Sequence, residues 1–263
     1  MQPIAHVTSA QPIAIILAAG KGTRMKSDLP KVCHPIGGRP MVCAVVDTCL
    51  AAGCASTVAV VGYKQELVRE ALSEYGDKVD YAIQDEQNGT GHAVKCALPN
   101  LENADDDTPV FILCGDGPLI RTDTLDAILD QHTKANASAT LATAVVDYPT
   151  GYGRIVRDAS GRFLRIVEQK NASDEERAIR EINPSYYCIR LADLREGLNR
   201  VTPNAATGEE YITDVPEILL GLGRTVEVID AVPAEDVLSI NTPEQLADVD
   251  SIFRSRAGSA GRV

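Results

Sequence analysis

The chain has 263 residues, 44% of them apolar, with 25 Lys and Arg against 37 Asp and Glu for a formal charge of −12. That is enough chain for one large α/β domain or two fused halves. The acidic balance and 4% aromatic content argue against nucleic-acid and anionic-membrane partners. Small anionic substrates stay compatible with it, because distant charges are screened beyond about 8 Å at physiological salt. Seven cysteines without a Cys-x-x-Cys pair read as free thiols of a reducing compartment. No run is long enough to span a bilayer, and the first eleven residues lack the basic start and apolar stretch of a signal peptide. The expected location is the cytoplasm.

Taken in order, Ile13-Ala-Ile-Ile16 reads as a buried strand, followed by a turn through Gly20 and Gly22 that delivers Lys21, Arg24, Lys26 and Lys31 within eleven positions. Glycines let backbone N–H groups approach a ligand, and clustered cations compensate phosphate charge, so the loop suits a polyphosphate. A Walker A loop and a dinucleotide fingerprint both fail at Met25, where they need a small residue. Pro30 disfavours helix at Leu29, so the loop is expected to stay extended up to Lys31.

Helical periodicity then covers residues 41–52, with a strand at 56–61, a helix at 64–74, a strand at 79–83 and a helix at 91–98. An apolar strand at 109–113 ends in Cys114-Gly-Asp-Gly117, and a helix at 122–135 leads to a strand at 137–146. Alternation of this kind predicts a mostly parallel sheet with helices on both faces. Strands at 153–157, 163–169 and 185–189 follow, then a helix at 209–222, a strand at 226–229 and a last helix at 243–255. The expected organisation is one domain over 12–256, with halves 12–118 and 119–256, and a flexible tail at 257–263. Ligands of open α/β sheets sit at the carboxyl ends of strands, so the Gly20 loop and Asp116 are expected to meet in one crevice.

Leu17-Ala-Ala-Gly-Lys-Gly-Thr-Arg-Met-Lys-Ser-Asp-Leu-Pro-Lys31 resembles the signature of the sugar-nucleotide pyrophosphorylases, in particular the uridylyltransferase domain of the bacterial GlmU family. Seven further segments occur in the family's order and span nearly the whole chain. They are Gln84-Asp-Glu-Gln-Asn-Gly-Thr-Gly-His-Ala93, Gly115-Asp116, Gly151-Tyr-Gly-Arg-Ile155, Ile166-Val-Glu-Gln-Lys170, Glu181-Ile-Asn183, Glu210-Tyr-Ile-Thr-Asp214 and Asn241.

The resemblance implies a Rossmann-like three-layer nucleotidyltransferase fold with a sugar-binding lobe. The implied reaction is transfer of a uridylyl group from UTP to N-acetylglucosamine 1-phosphate, a step in UDP-N-acetylglucosamine biosynthesis. The sugar phosphate is largely a dianion near neutral pH and attacks the α-phosphorus directly, so catalysis falls to positioning and charge compensation. Arg24 and Lys31 take the catalytic roles by resemblance, a positioned cation being worth roughly 3–4 kcal/mol by analogy with an oxyanion donor. Asp116 and Asn241 are the implied ligands of Mg²⁺; taken alone, the first reads as a turn residue and the second as part of a helix N-cap.

The implied nucleotide contacts are Leu17, Ala18, Ala19, Gly20, Gln84, Gly89 and Thr90. Gln84 is expected to pair with the uracil edge through one donor and one acceptor, though alone it reads as a polar strand end. The implied sugar-phosphate contacts are Gly153, Glu168, Asn183, Tyr211 and Thr213. His92 is left without a role, as a residue that caps or packs the helix starting near Gly91. Glucose 1-phosphate, dTTP or CTP as substrates, and a silent nucleotide-binding regulatory subunit, are the alternatives; Arg24, Lys31 and Asp116, all present, argue against the last. The 263 residues contain none of the hexapeptide repeats that carry acetyl transfer and trimerisation in the GlmU family. Acetyltransferase activity is therefore not expected, and the oligomeric state stays open.

Overall fold

The computed structural model describes residues 11–238 and 240–260, with side chains through residue 256. The leading segment read above for a signal peptide lies almost wholly outside that range, as do residues 261–263 of the expected tail. The strands are β1 (Ile13–Leu17), β2 (Pro35–Ile36), β3 (Arg39–Pro40), β4 (Ser56–Val61), β5 (Val79–Ile83), β6 (Pro109–Cys114), β7 (Ala139–Val145), β8 (Gly153–Arg157), β9 (Phe163–Val167), β10 (Glu181–Arg190) and β11 (Val226–Asp230). The helices are α1 (Met41–Ala51), α2 (Gln65–Ala71), α3 (Thr90–Ala97), α4 (Thr122–Lys134), α5 (Asp174–Arg177), α6 (Leu191–Arg200), α7 (Val215–Gly221) and α8 (Pro243–Ala260).

One sheet of nine strands runs β11-β7-β10-β6-β1-β4-β5, with the β8–β9 hairpin hung from β10 and β2–β3 forming a separate small ribbon. β6, β1, β4 and β5 are parallel, as are β7 and β11, and β10 runs antiparallel between β6 and β7. Side chains alternate along each strand, so β1 divides its apolar residues between two cores. Ala14 and Ile16 pack with α1 and α4 through Val42, Val45, Leu125 and Ile128. Ile15 packs on the other face with α3, α6 and α7 through Val94, Leu194 and Leu219. This is the expected three-layer architecture, and each fully buried Ile or Val contributes about 1.5–3 kcal/mol.

Several expectations need correction. The loop after β1 is not extended: a 3₁₀ turn at Thr23–Met25 sits between Gly22 (φ 67°) and Lys26 (φ 51°), both left-handed. Pro30 is extended and a second 3₁₀ turn starts at Lys31 itself. The helix expected at 209–222 starts only at Val215, with Pro216 in its first turn. Its expected first turn instead pairs with the Gly89 loop, Glu210 N–H donating to Asn88 O (2.8 Å) and Gly91 N–H to Glu210 O (2.8 Å). Strand β10 begins at Glu181, ahead of the expected 185. A bulge sets the five residues of β10 from Ile182 to Tyr186 against three of β7, with Ser185 left-handed (φ 67°). The bulge is where a proline, Pro184, is tolerated within a strand. Helix α6 has no counterpart among the expected elements, and α8 runs to Ala260, through the start of the stretch expected as a tail. Ala257 is a strong helix former and no Gly or Pro stands between Pro243 and it.

Candidate active site

The crevice forms at the carboxyl ends of β1 and β6. These strands are paired in register, Leu17 opposite Cys114, so both chains leave the sheet side by side. Gly115 N–H donates to Leu17 O (2.9 Å), and a Cβ at Gly115 would lie 3.1 Å from that oxygen. A larger residue would push the two exits apart by a few tenths of an ångström. Gly22 is under a stricter demand: with φ 67°, its Cβ would meet Lys31 Cβ at 2.5 Å. The turn therefore folds back onto the base of Lys31 and aims it.

Lys31, Asp116, Asn241 and Arg24, which span most of the sequence, meet here. Lys31 Nζ forms an ion pair with Asp116 and donates to Asn241 Oδ1 (3.0 Å). Arg24 Nη2 donates to the same Asn241 oxygen (2.8 Å). The Lys31 and Asp116 side chains are 16% and 18% exposed, so this charge cluster is shielded yet reachable. The segment carrying Asn241 is tied down beside it. Ile240 N–H donates to Asp116 O (3.3 Å), and the hydroxyls of Tyr152 and Tyr186 donate to Val237 O (3.0 Å) and Asp236 O (3.1 Å).

Adjoining the cluster is a cavity of about 160 Å³ whose wall includes Asp116, Gly153, Glu168, Asn183, Ser185 and Tyr186. Four expected site residues therefore share one space. Gly153 pairs with Asn183 in the β8–β10 ladder, and a Cβ there would strike Ile166 at 2.9 Å. Asn183 is buried and held at both ends, Nδ2 donating to the Tyr187 hydroxyl (2.5 Å) and Oδ1 accepting from Ser185 N–H (3.1 Å). It builds the bulge that opens the cavity. Thr213 Oγ1 donates to Glu168 Oε1 (3.2 Å). Burial pushes the Glu168 carboxyl above the ordinary range, partly offset by this hydrogen bond and by Lys170. A neighbouring small recess is lined by Leu17 and Thr90 together with Glu168 and Thr213, so the expected nucleotide and sugar sets adjoin. Thr90 Oγ1 also accepts from Ile212 N–H (3.1 Å).

Tyr211 is not brought into the cavity. Its hydroxyl contacts Thr207 Oγ1 (2.6 Å) and Glu209 Oε2 (2.8 Å), and Lys170 lies over its ring at 4.9 Å. It braces the wall from behind.

The expected base-binding residues stand on the other side of β1. Ala18 and Ala19 are buried, and Ala19 O accepts from Tyr63 N–H (3.1 Å) and Gln87 Nε2 (2.9 Å). Gly20 faces open space: a Cβ there would have nothing within 4 Å. Gln84 follows β5 directly and is 4% exposed. Its Nε2 donates to Gly89 O (3.0 Å) and lies 3.2 Å from His92 Nδ1. Nε2 thus faces two protein groups, and its bond to His92 forms when Nδ1 is the acceptor. Gly89 has φ 104°, and a Cβ there would overlap the carbonyl oxygen of Glu210.

Sequence reasoning gives no site role to Gly62, to Arg154 or to His92, the last read only as capping or packing a helix. A Cβ at Gly62 would lie 2.9 Å from Gln84 O and 3.1 Å from Ala19, so this glycine lets the two base-side segments touch. Arg154 is 1% exposed and ties the wall together. It donates to Tyr152 O, Gln169 Oε1 (2.6 Å) and Arg177 O (3.4 Å), and burial lowers its pKa. A larger open depression of about 490 Å³, between the β8–β9 hairpin and β11, contains none of the expected site residues.

A family profile described as the MobA-like NTP transferase domain matches residues 14–187. The chain belongs to this NTP transferase family. Among curated relatives, "Bifunctional protein GlmU" of Geobacillus sp. (strain WCH70) is 48% identical over 243 residues, covering 92% of this chain and 52% of the relative. The protein of the same name from Clostridioides difficile (strain 630) is 41% identical over 250 residues, covering 95% and 53%. This NTP transferase thus spans about half the length of the curated relatives it matches. A crystal structure of UDP-glucose pyrophosphorylase complexed with UDP-glucose superposes with a TM-score of 0.72 at 18% identity, covering 94% of this chain and all of that one. That likeness supports the mostly parallel, Rossmann-like fold of the NTP transferase. Among the described residues no helix is long and apolar enough to cross a membrane.

Proposed function

We propose that this NTP transferase moves a uridylyl group from UTP to N-acetylglucosamine 1-phosphate, releasing pyrophosphate. The observation that carries the reading is the convergence of Arg24, Lys31, Asp116 and Asn241 beside a cavity walled by Gly153, Glu168 and Asn183. Similarity to GlmU proteins over their shared half supports the choice of substrates.

The chemistry asks for no protein nucleophile. A phosphate oxygen of the sugar 1-phosphate forms a bond to the α-phosphorus of UTP. The bond from that phosphorus to the bridging oxygen breaks, and its electron pair leaves with pyrophosphate. The protein's task is to hold the two anions together and to meet the charge that builds on them. Lys31 stands between the strand exits where the reacting phosphates converge, and Arg24 takes the triphosphate. Both are now paired with Asn241, and Lys31 also with Asp116; an arriving phosphate offers them stronger anionic partners. Glu168, with Thr213 holding one of its oxygens, accepts hydrogen bonds from sugar hydroxyls, and Gly153 and Asn183 shape the wall.

A divalent ion fits the donor set. Asp116 and Asn241 offer hard oxygen ligands, while no group of three or more His, Cys, Asp or Glu among the described residues can grip a metal unaided. Such a sparse pair suits Mg²⁺ held largely by substrate phosphates and water, where it would neutralise phosphate charge. The halves 12–118 and 119–256 act in this reading as the nucleotide and sugar-phosphate sides of one domain, within the cytoplasm.

The test is magnesium-dependent release of pyrophosphate from UTP with N-acetylglucosamine 1-phosphate, glucose 1-phosphate or galactose 1-phosphate. Preference for the first is expected. Preference for glucose 1-phosphate would move the substrate while keeping the chemistry, and no release with any pair would leave a nucleotide-binding regulatory role.

A further inference from the structure

A glutamine side chain makes opposite demands on a ligand at its two ends: Nε2 offers two protons and Oε1 accepts. Which end of Gln84 faces the nucleobase therefore decides which base edge fits. At 4% exposure, water cannot correct a wrong choice. Nε2 has two groups within hydrogen-bond reach inside the protein, Gly89 O at 3.0 Å and His92 Nδ1 at 3.2 Å. The Gly89 carbonyl is fixed, since it also accepts the N–H of Ala93 (3.1 Å) while its residue is wedged against Glu210.

His92 Nδ1 can accept only if its ring proton sits on Nε2. That nitrogen faces Cys96 Sγ at 3.9 Å, a weak acceptor suited to an N–H. Burial and the nearby Asp85 raise the Cys96 pKa, which keeps it a thiol. A reversed Gln84 amide would set Oε1 against the Gly89 carbonyl and leave His92 Nδ1 facing an oxygen. His92 and Gly89 thus form a two-point lock.

We propose that His92 is a specificity-positioning residue: it holds the Gln84 carbonyl toward the base, so the pocket accepts an edge presenting an N–H and rejects one presenting a lone pair. Uracil carries an N–H at its N3 position and cytosine a lone pair there. This rests on the uridylyl reading above. The lock sets UTP against CTP but leaves thymine nucleotides, which share the N–H, undiscriminated at this contact.

The experiment measures dissociation constants of UTP and CTP by calorimetry on the full chain, for the wild type, His92→Leu and His92→Asn. The asparagine variant keeps an acceptor near the position of Nδ1. The expected result is a UTP-over-CTP preference in the wild type that shrinks about tenfold in His92→Leu and by no more than about threefold in His92→Asn, the scale of one net hydrogen bond. An undiminished preference in His92→Leu would overturn the inference while leaving the uridylyl reading intact. Absence of any preference in the wild type would overturn that reading first. A variant-free check is the ¹⁵N spectrum of the labelled wild type, where His92 must carry its proton on Nε2. A proton found on Nδ1 would refute the lock even if the leucine variant failed to fold.

Discussion

The two sides of the crevice are built on different physical plans. On the β1–β6 side the decisive groups are charged, partly exposed and paired with one another: Lys31 with Asp116 and Asn241, Arg24 with Asn241. Such partners exchange readily when a stronger anion or a cation arrives. On the β8–β10 side the groups are buried or largely so and held by hydrogen bonds to uncharged partners rather than by ion pairs, Asn183 by Tyr187 and Ser185, Glu168 by Thr213, and the whole wall by Arg154. In the proposed reaction the first side would supply adjustable charge to the phosphates, and the second a fixed shape that tells a sugar from its isomers. Substitutions should therefore fail differently on the two sides, turnover on one and sugar affinity or stability on the other.

The sharpest break of this contrast is Lys31→Ala or Asp116→Ala. Each is expected to lower kcat by about 10²–10³-fold, the scale of losing one preorganised charge-stabilising group. Thermal unfolding should stay within about 0.5–1 kcal/mol of the wild type, because the pair is partly solvated. Steady-state kinetics with a melting curve checks both halves of the claim, and retained turnover would remove Lys31 from the reaction. Gly22→Ala comes next. It imposes a left-handed alanine and drives a Cβ to 2.5 Å from Lys31, so about tenfold loss of kcat and roughly 1–2 kcal/mol of stability are expected.

Much of this plan is legible in the sequence, and the failures have specific causes. The alternation of apolar runs and helical segments points to parallel layers because β1, β4 and β6 are buried on both faces and carry little else. Strand β10 reads too short because Pro184 and the left-handed Ser185 mimic a turn, although they form a bulge within a strand. Helix α6 escapes notice despite Leu191, Leu194 and Leu198 at helical spacing. It starts immediately after β10 with no capping side chain and no intervening loop. The charged residues of the site stand out because their motifs are local. Gly62 and Arg154 do not, since their work is to let or make distant segments meet, and those partners adjoin them only after folding.

Arg154 sharpens the comparison from the other side. Arg154→Met keeps most of the buried volume but abandons the carbonyl of Tyr152, the Gln169 amide oxygen and the carbonyl of Arg177. Unmade buried hydrogen bonds outweigh relief from desolvating the guanidinium, so a net loss of about 2 kcal/mol is expected. Gly151 N–H shares the Gln169 oxygen (3.2 Å), so the turn beside Gly153 loosens as well. KM for the sugar 1-phosphate should rise severalfold with KM for UTP nearly unchanged. Equal effects on both substrates would erase the distinction between the sides.

The smallest expected effect concerns Asp214, at the start of α7 behind the sugar wall. Burial first, then Glu217 and Glu168, push its carboxyl up to about 6 from the ordinary 3.8. Between those values the folded chain holds a proton that the unfolded chain has released. Stability therefore falls as pH rises through this window, and the penalty persists above it. Asp214→Asn removes the penalty. After allowance for solvent screening of a half-buried group, the variant should be about 1 kcal/mol more stable at pH 7.5, a rise of roughly 2–4 °C in Tm. At pH 4 the two proteins should melt together. A gain that persisted unchanged at pH 4 would mean that the asparagine improves packing, whereas no gain at pH 7.5 would mean that the carboxylate is better solvated than its neighbours imply. Either result bears on the contrast between the two sides, because a wall that tolerates an unpaired acid at so little cost depends on shape rather than charge.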